Sequence, residues 1–105
     1  MTLQPPKARI PLPLAAIEAL CRKWKVRELA LFGSVLREDF SSVSDVDVLV
    51  TFDPDAPWSA WDLIEMREEL QSLLGRNIDL VEKNAIRNPF RRREILRSHQ
   101  VVYAA

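Results

Sequence analysis

The chain has 105 residues, of which 48% are apolar, so it is long enough for one domain with a core and too short for two. Fifteen basic residues balance fifteen acidic ones, and this balance gives no reason to expect a polyanionic partner. The sequence has no apolar run of about 20 residues and no signal-peptide pattern, and its single cysteine excludes an internal disulfide, so we expect a cytoplasmic protein.

The first third of the chain predicts an arm, a helix and a strand. Four prolines fall within residues 1–13, a density typical of an extended arm. Residues 14–25 carry apolar side chains at three- and four-residue spacings, which predicts a helix with Cys21 as a small core residue. The apolar run at 26–32 predicts a buried strand, and the Gly33-Ser34 pair ends it.

The middle of the chain predicts a second strand and a long helix. A short helix at 35–39 and a serine-rich loop at 40–44 lead to a strand rich in β-branched residues at 46–52. The turn DPDAP follows, and residues 58–74 then have the strongest helical pattern in the chain. The apolar stripe predicted for this helix consists of Trp61, Ile64, Met66, Leu70, Leu73 and Leu74.

The last third predicts one more strand–helix–strand unit. Gly75 is the expected C-cap of the long helix, and residues 77–82 predict a third strand. Asn88 and Pro89 predict the start of a helix that runs to about residue 98, and residues 101–103 predict a short final strand. Strands that alternate with helices favour an α/β or α+β fold around a small sheet, in one domain over residues 14–105.

Two aspartates open the second predicted strand. Asp45 and Asp47 are one residue apart, and because side chains alternate along a strand, both carboxylates point to the same face. Their Cα atoms lie about 6.6–6.8 Å apart in a strand, so the carboxylates can converge on a hard cation such as Mg²⁺. Two such ions about 3.5–4 Å apart can bind both the attacking and the leaving oxygens of a phosphoryl transfer.

The Gly33-Ser34 pair is a candidate phosphate site. Where a strand turns into a helix, backbone N–H groups lack partners and attract anions. Glycine has no Cβ to keep a phosphate away from the backbone, and the serine hydroxyl adds a donor. Nucleotide phosphates held there would meet metal ions held by Asp45 and Asp47.

Asp79 is the candidate for a third carboxylate. It is the acid with apolar neighbours on both sides in the third predicted strand, and burying a lone charge inside an apolar strand is costly unless the charge is paired or bound to metal. If Asp79 faces the same side of the sheet as Asp45 and Asp47, it could complete the cluster and act as a general base toward an attacking hydroxyl.

This combination resembles the DNA polymerase β-like nucleotidyltransferase superfamily. The resemblance rests on a Gly-Ser pair, ten further residues and then Asp-x-Asp, with a third aspartate on a later strand. The short chain and the stretches LFGSVLRED, SDVDVLVTFD and IDLVEK are similar to its minimal nucleotidyltransferase branch. The resemblance covers nearly the whole chain, from about residue 14 to residue 103.

The resemblance implies a fold and a set of site residues. The fold is a small mixed β-sheet with flanking helices, and the ligands are ATP and Mg²⁺, with two ions expected. The implied phosphate-binding residues are Gly33, Ser34 and Arg37, and the implied catalytic and metal-binding residues are Asp45, Asp47 and Asp79. Many relatives have a glycine directly after the matching arginine, where this chain has Glu38, and this difference concerns the loop more than the carboxylates.

The resemblance also implies a biological role. Members of this branch are typically antitoxins encoded beside a HEPN-domain toxin that is an RNase, and some inactivate the toxin by transferring AMP from ATP to one of its tyrosines. The leading interpretation is therefore a Mg²⁺-dependent protein adenylyltransferase that forms a hetero-oligomer with a HEPN toxin. We expect neither a membrane nor a nucleic-acid partner.

Two other functions stay open. The protein could neutralise a toxin by tight binding alone, with a vestigial site, or it could transfer a nucleotide to RNA or to a small molecule such as an aminoglycoside. The small size and the lack of a substrate domain count against the second of these. Each site residue also has a simpler interpretation, as a turn residue, an exposed strand residue or a surface charge.

Two further groups of residues have open roles. The five arginines of residues 87–97 could form a patch that contacts nucleic acid or ATP. A solvated face is the favoured interpretation, with Phe90, Ile95 and Leu96 toward the core. We expect the tryptophans to lie in the core or at an interface, with Trp58 partly exposed.

Overall fold

The computed structural model describes residues 10–37, 40–41 and 43–105. Its helices and strands in chain order are α1 (Leu14–Lys23), β1 (Val26–Phe32), β2 (Val46–Phe52), α2 (Ala60–Leu74), β3 (Ile78–Glu82), α3 (Pro89–Ser98) and β4 (Gln100–Ala104). The strands predicted at 26–32 and 46–52 have those bounds. A 3₁₀ turn at Gly33–Leu36 covers the first residues of the short helix predicted at 35–39, and residues 38 and 39 of that prediction lie outside the described residues. Most of the predicted N-terminal arm, together with Glu38, lies outside the described residues.

The four strands form one mixed sheet in the order β3-β2-β1-β4. β1 pairs antiparallel with both β2 and β4, whereas β2 and β3 are parallel. A parallel pair needs a long crossover, and the 15 residues of α2 supply it. The predicted fold class, a small mixed sheet with flanking helices, is confirmed.

The sheet has an apolar cluster on each face. The larger cluster joins Leu29 and Val48 of the sheet to α1 and α2 through residues such as Cys21 and Met66. Cys21 is thus a core residue, as predicted, and burial raises the pKa of its thiol to about 12. The smaller cluster lies on the opposite face and consists of Ala30, Phe32, Leu49, Ile86 and Ile95.

The ends of α2 and α3 follow local sequence signals. Ser59 and Asp62 form a capping box at the start of α2, and Gly75 ends this helix with a φ of +66°. Asn88 Oδ1 accepts hydrogen bonds from the backbone N–H groups of Phe90 and Arg91 at 2.9 and 3.2 Å. The predicted caps are therefore confirmed. No described helix is long and apolar enough to cross a membrane.

Three apolar side chains that we expected near the core lie on the surface instead. Trp61, Ile64 and Phe90 are 80%, 41% and 79% exposed. The reason is helical geometry, since at 3.6 residues per turn Leu70 lies about 180° around the helix axis from Trp61. The same geometry places Phe90 about 140° from Ile95, which is the buried residue of α3.

Trp24 and Trp58 connect the end of α1 to the segment before α2. Trp24 is buried and Trp58 half-buried, and their rings meet edge to face with centroids 4.9 Å apart. The indole N–H of Trp58 donates to the Trp24 carbonyl at 2.6 Å, and that of Trp24 donates to Glu69 Oε2 at 2.7 Å. Lys23 pairs with the other oxygen of Glu69. The predicted partial exposure of Trp58 is confirmed.

Glu69 should make stability depend on pH. The hydrogen bond from Lys23, followed by that from Trp24, lowers the pKa of the Glu69 carboxyl. A carboxylate with a lowered folded-state pKa stabilises the fold above its unfolded pKa of about 4.3, and this stabilisation is lost as the pH falls through the folded-state pKa. We expect Glu69→Gln to be less stable than the wild type at pH 7, and the difference to shrink toward pH 3. Urea unfolding followed by circular dichroism measures both.

The matched control is Glu68→Gln, at the exposed neighbouring position on the same helix. It should leave the pH dependence of the unfolding free energy unchanged. The same change in both variants would contradict a specific role for the Glu69 hydrogen bonds.

Candidate active site

Asp47 lies at the centre of a group of charged residues on the face of the smaller apolar cluster. It is the second residue of β2, where it pairs with Phe32 of β1 on one side and with Asp79 of β3 on the other. Because Asp47 and Asp79 are in register on neighbouring strands, their side chains share one face of the sheet, about 5 Å apart at the backbone. Asp47 is half-buried, and Asp79 is exposed.

The Gly33-Ser34 turn lies directly against the Asp47 carboxylate. Gly33 has a φ of +73°, a left-handed conformation that glycine adopts readily. A Cβ at this position would be 2.3 Å from Oδ2 of Asp47, which is inside van der Waals contact, so any other residue would force the Asp47 carboxylate to turn away. The structure therefore brings the predicted phosphate site and one of the predicted carboxylates together.

Burial raises the pKa of Asp47, and the negative charges of Asp79 and then Asp45 raise it further. The positive charges of Arg37 and Arg91 act in the opposite direction. Carboxylates that disfavour one another's ionisation are a suitable donor set for a divalent cation, whose charge offsets their repulsion. The donors are all oxygens, which fits a hard ion such as Mg²⁺.

Two of the three aspartates are more open than the sequence suggested. Asp45 is exposed and lies one residue before β2 begins. The expectation of a buried charge at Asp79 is wrong, because its apolar neighbours Ile78 and Leu80 belong to the cluster on the opposite face of the sheet. Within the described residues, no three His, Cys, Asp or Glu side chains are grouped so that they could hold one ion. The metal site at the three aspartates therefore stays a prediction.

The two other predicted phosphate ligands lie beside this group. Ser34 is in the 3₁₀ turn, and its carbonyl accepts a hydrogen bond from the Arg37 backbone N–H at 2.9 Å. Arg37 is exposed, and its charge reaches Asp47. The roles of Ser34 and Arg37 in phosphate binding stay predictions.

Sequence reasoning missed Arg91, which the favoured interpretation placed on a solvated face. Arg91 is four residues before Ile95, and side chains at this spacing lie on the same side of a helix. Ile95 packs with Leu49, the residue two places after Asp47 on the same face of β2. The positive charge of Arg91 accordingly lowers the pKa of Asp47. The signal available in the sequence was the spacing of Arg91 from the apolar Ile95.

The model of the family described as the nucleotidyltransferase domain matches residues 15–102. The chain belongs to this family. A proposed protein adenylyltransferase of Methanocaldococcus jannaschii is 42% identical over 76 residues, which cover 72% of this chain and 76% of that protein. The protein adenylyltransferase MntA of Thermococcus cleftensis is 41% identical over 69 residues, which cover 66% of this chain and 68% of that protein.

Solved structures agree with this family membership. A proposed minimal nucleotidyltransferase is 29% identical with a TM-score of 0.68, and the match covers 82% of this chain and 85% of that one. A toxin–antitoxin complex with AMP-PNP contains a chain that is 21% identical with a TM-score of 0.72, over 90% of this chain and 75% of that one. The second match shows the shared fold. The predicted minimal nucleotidyltransferase branch and the predicted enzyme class are confirmed.

The contact between Gly33 and Asp47 can be tested by stability. Alanine at a left-handed position costs about 1–2 kcal/mol, and at Gly33 it also brings a Cβ into the Asp47 carboxylate. We expect Gly33→Ala to destabilise the nucleotidyltransferase domain by about 0.5–1.5 kcal/mol more than backbone strain alone, which is the cost of turning the Asp47 side chain away from a preferred rotamer. Urea unfolding gives the free energy.

Gly75→Ala is the matched control, because Gly75 has a similar φ of +66° and open space where a Cβ would be. Adding Asp47→Ala to Gly33→Ala should recover part of the loss, since it removes the clashing oxygen. Equal costs at the two glycines, or no recovery in the double variant, would contradict the contact.

Proposed function

We propose that this nucleotidyltransferase transfers AMP from Mg·ATP to a hydroxyl group, a tyrosine in the favoured case, of a HEPN-domain toxin, and thereby acts as its antitoxin. The observation that carries the proposal is the approach of the Asp47 carboxylate to the Gly33-Ser34 turn, with Asp79 in register beside it. A nucleotidyl transfer needs groups that bind phosphate next to carboxylates that bind cations, and this arrangement supports such roles for the turn and the carboxylates.

The acceptor is proposed from the related proteins. Relatives at 42% and 41% identity carry the name protein adenylyltransferase. A tri-AMPylated HEPN toxin of Shewanella oneidensis is bound to an MNT antitoxin that shares this fold at 20% identity, with a TM-score of 0.62. These proteins support a toxin acceptor and the formation of a hetero-oligomer with it.

Each site residue has a role in the proposed reaction. The N–H groups of the Gly33-Ser34 turn and the Ser34 hydroxyl would bind the nucleotide phosphates. The positive charges of Arg37 and Arg91 act on Asp47, and the two side chains would align the phosphates by this charge. Asp45, Asp47 and Asp79 would hold Mg²⁺, which when bound supplies Lewis-acid charge at the phosphates.

The reaction exchanges a phosphoanhydride bond for a phosphoester bond. The acceptor oxygen forms a bond to the α-phosphorus of ATP, the bond from that phosphorus to the oxygen bridging to the β-phosphate breaks, and pyrophosphate leaves. Asp79 is exposed on the face of the sheet that carries Asp47, so an incoming hydroxyl can reach it. In the proposal Asp79 orients this hydroxyl and accepts its proton.

Replacing two carboxylates tests the enzyme directly. We expect Asp45→Asn/Asp47→Asn to lower the rate of label transfer from α-labelled ATP to the HEPN protein encoded beside this chain by about 10²–10⁴-fold, because several kcal/mol of metal-dependent stabilisation are lost. The rate is measured with purified proteins and Mg²⁺.

The matched control is Asp53→Asn/Asp55→Asn. These residues form a second Asp-x-Asp in the exposed turn after β2, so the control removes the same charge away from the site and should keep full activity. Equal losses in both double variants would contradict the assignment. If the wild type transfers no label yet forms a stable complex that neutralises the toxin, the protein acts by binding alone.

Arg91 gives a separate test of the phosphate site. We expect Arg91→Gln to raise the KM for ATP by about tenfold or more, since a hydrogen bond to a charged group contributes about 1.5–3 kcal/mol. Arg93→Gln is the matched control, because Arg93 is exposed and lies about 160° around α3 from Arg91. An unchanged KM in Arg91→Gln, or equal effects of both substitutions, would remove Arg91 from the site.

A further inference from the structure

Asp45 is the aspartate whose position depends least on the sheet. β2 begins at Val46, so Asp45 lies at the end of the loop of residues 40–44 and outside the strand ladder. Its neighbour Asp47, in contrast, has strand partners on both sides. The position of the Asp45 carboxylate therefore depends on the contacts that hold the loop before it.

Arg76 holds this loop from the turn between α2 and β3. Its Nη2 donates to the carbonyls of Ser41 at 2.7 Å and Ser44 at 2.9 Å. Its guanidinium carbon lies 4.5 Å from the centroid of the Phe40 ring. One planar side chain thus contacts the beginning of the loop, at Phe40 and Ser41, and the residue directly before Asp45.

The loop has two other kinds of support. Phe40 packs against the larger apolar cluster, and hydrogen bonds join Ser41 to Val43 and Ser44. A cavity of about 500 Å³ lies between the loop and the end of α2, lined by Val43, Ser44, Gln71, Gly75, Arg76 and Asn77. Val43 is 88% exposed, so this residue adds no apolar packing across the cavity. Arg76 spans this gap with hydrogen bonds to the backbone.

Arg76 also lies three residues before Asp79. The backbone N–H of Val46 donates to the Asn77 carbonyl at 2.9 Å, so the segments that lead to Asp45 and to Asp79 run side by side. A side chain that joins these two segments adds to the strand pairing that fixes the separation of Asp45 and Asp79.

We propose that Arg76 is a positioning residue of the nucleotidyl-transfer site. It holds the loop before Asp45 so that the Asp45 carboxylate keeps its place relative to Asp47 and Asp79. The inference rests on the proposed function in one respect, namely that Asp45 is a cation ligand. Residues that orient metal ligands typically affect metal affinity or activity by about 10–100-fold, and this is the size of effect expected here.

The first measurement is cation binding without nucleotide or toxin. Mn²⁺ is titrated into the wild type, Arg76→Gln, Arg76→Lys and the control Arg67→Gln, which removes an exposed arginine of α2, and bound ion is followed by electron paramagnetic resonance. We expect about 10–100-fold weaker binding in Arg76→Gln, partial recovery in Arg76→Lys and no change in Arg67→Gln. Hydrogen exchange at residues 43–46 should be faster in Arg76→Gln. Unchanged Mn²⁺ affinity, or unchanged exchange in this loop, overturns the proposal.

The second measurement is the AMP transfer rate across a range of Mg²⁺ concentrations. A positioning role raises the half-saturating Mg²⁺ concentration of Arg76→Gln by about 10–100-fold and lets the rate recover at high Mg²⁺. A general structural loss would instead lower the rate equally at every concentration, and that result overturns the proposal. If Arg76→Gln does not fold, the same two measurements on Arg76→Lys test the positioning role.

Failure of the proposed function gives a different result. If the wild type binds Mn²⁺ but transfers no label, the adenylyltransferase proposal fails, and the Mn²⁺ affinities still decide the role of Arg76. If the wild type binds no Mn²⁺, Asp45 is not a cation ligand and the positioning role is overturned as well.

Discussion

The close approach of the Asp47 carboxylate to the Gly33 backbone is the contact on which the site depends. It exists because β1 ends at Phe32, directly opposite Asp47, and because the next residue has no side chain. A Cβ there would lie 2.3 Å from the carboxylate oxygen. Glycine suits this position for two reasons: it adopts the left-handed backbone readily, and it has no Cβ that would displace the Asp47 carboxylate. The result is a Gly33-Ser34 turn in direct contact with the Asp47 carboxylate.

Three other parts of the fold surround this contact, namely the helix pair α1 and α2, the strand β3 and the helix α3. α1 and α2 cover one face of the sheet through the larger apolar cluster, which leaves the opposite face of β2 and β3 open at Asp47 and Asp79. The crossover through α2 makes β3 parallel to β2, and the parallel register places Asp79 beside Asp47. α3 covers the remainder of the open face through Ile95. The beginning of α3 brings Arg91 toward the carboxylates. A helix that packs mainly through apolar residues thus adds a positive charge near them.

The three aspartates are held with different degrees of constraint. Asp47 lies in a central strand with partners on both sides. Asp79 lies in β3, at the edge of the sheet. Asp45 lies ahead of its strand, in a loop held by the hydrogen bonds and ring contact of Arg76. In the proposed reaction, a nucleotide and a protein hydroxyl would have to reach ligands around one fixed carboxylate. Half-buried Asp47 would be the fixed carboxylate, and exposed Asp45 and Asp79 would be the accessible ligands.

The local parts of this protein were determined by the sequence. Apolar runs defined β1 and β2, and Gly75 and Asn88 marked helix ends, because strand and cap signals depend on residues within a few positions of one another. The spacing of Gly33-Ser34, Asp45 and Asp47 identified the family for the same reason. Only the tertiary structure decided which side chains face the carboxylates. The exposure of Asp79, the approach of Arg91 to Asp47 and the contacts of Arg76 with the loop before Asp45 all depend on strand register and on how α2 and α3 pack. Trp61 shows what local sequence patterns do not determine. An apolar side chain on a helix is buried only if its side of that helix packs against the sheet. Packing between elements far apart in the chain determines which side that is.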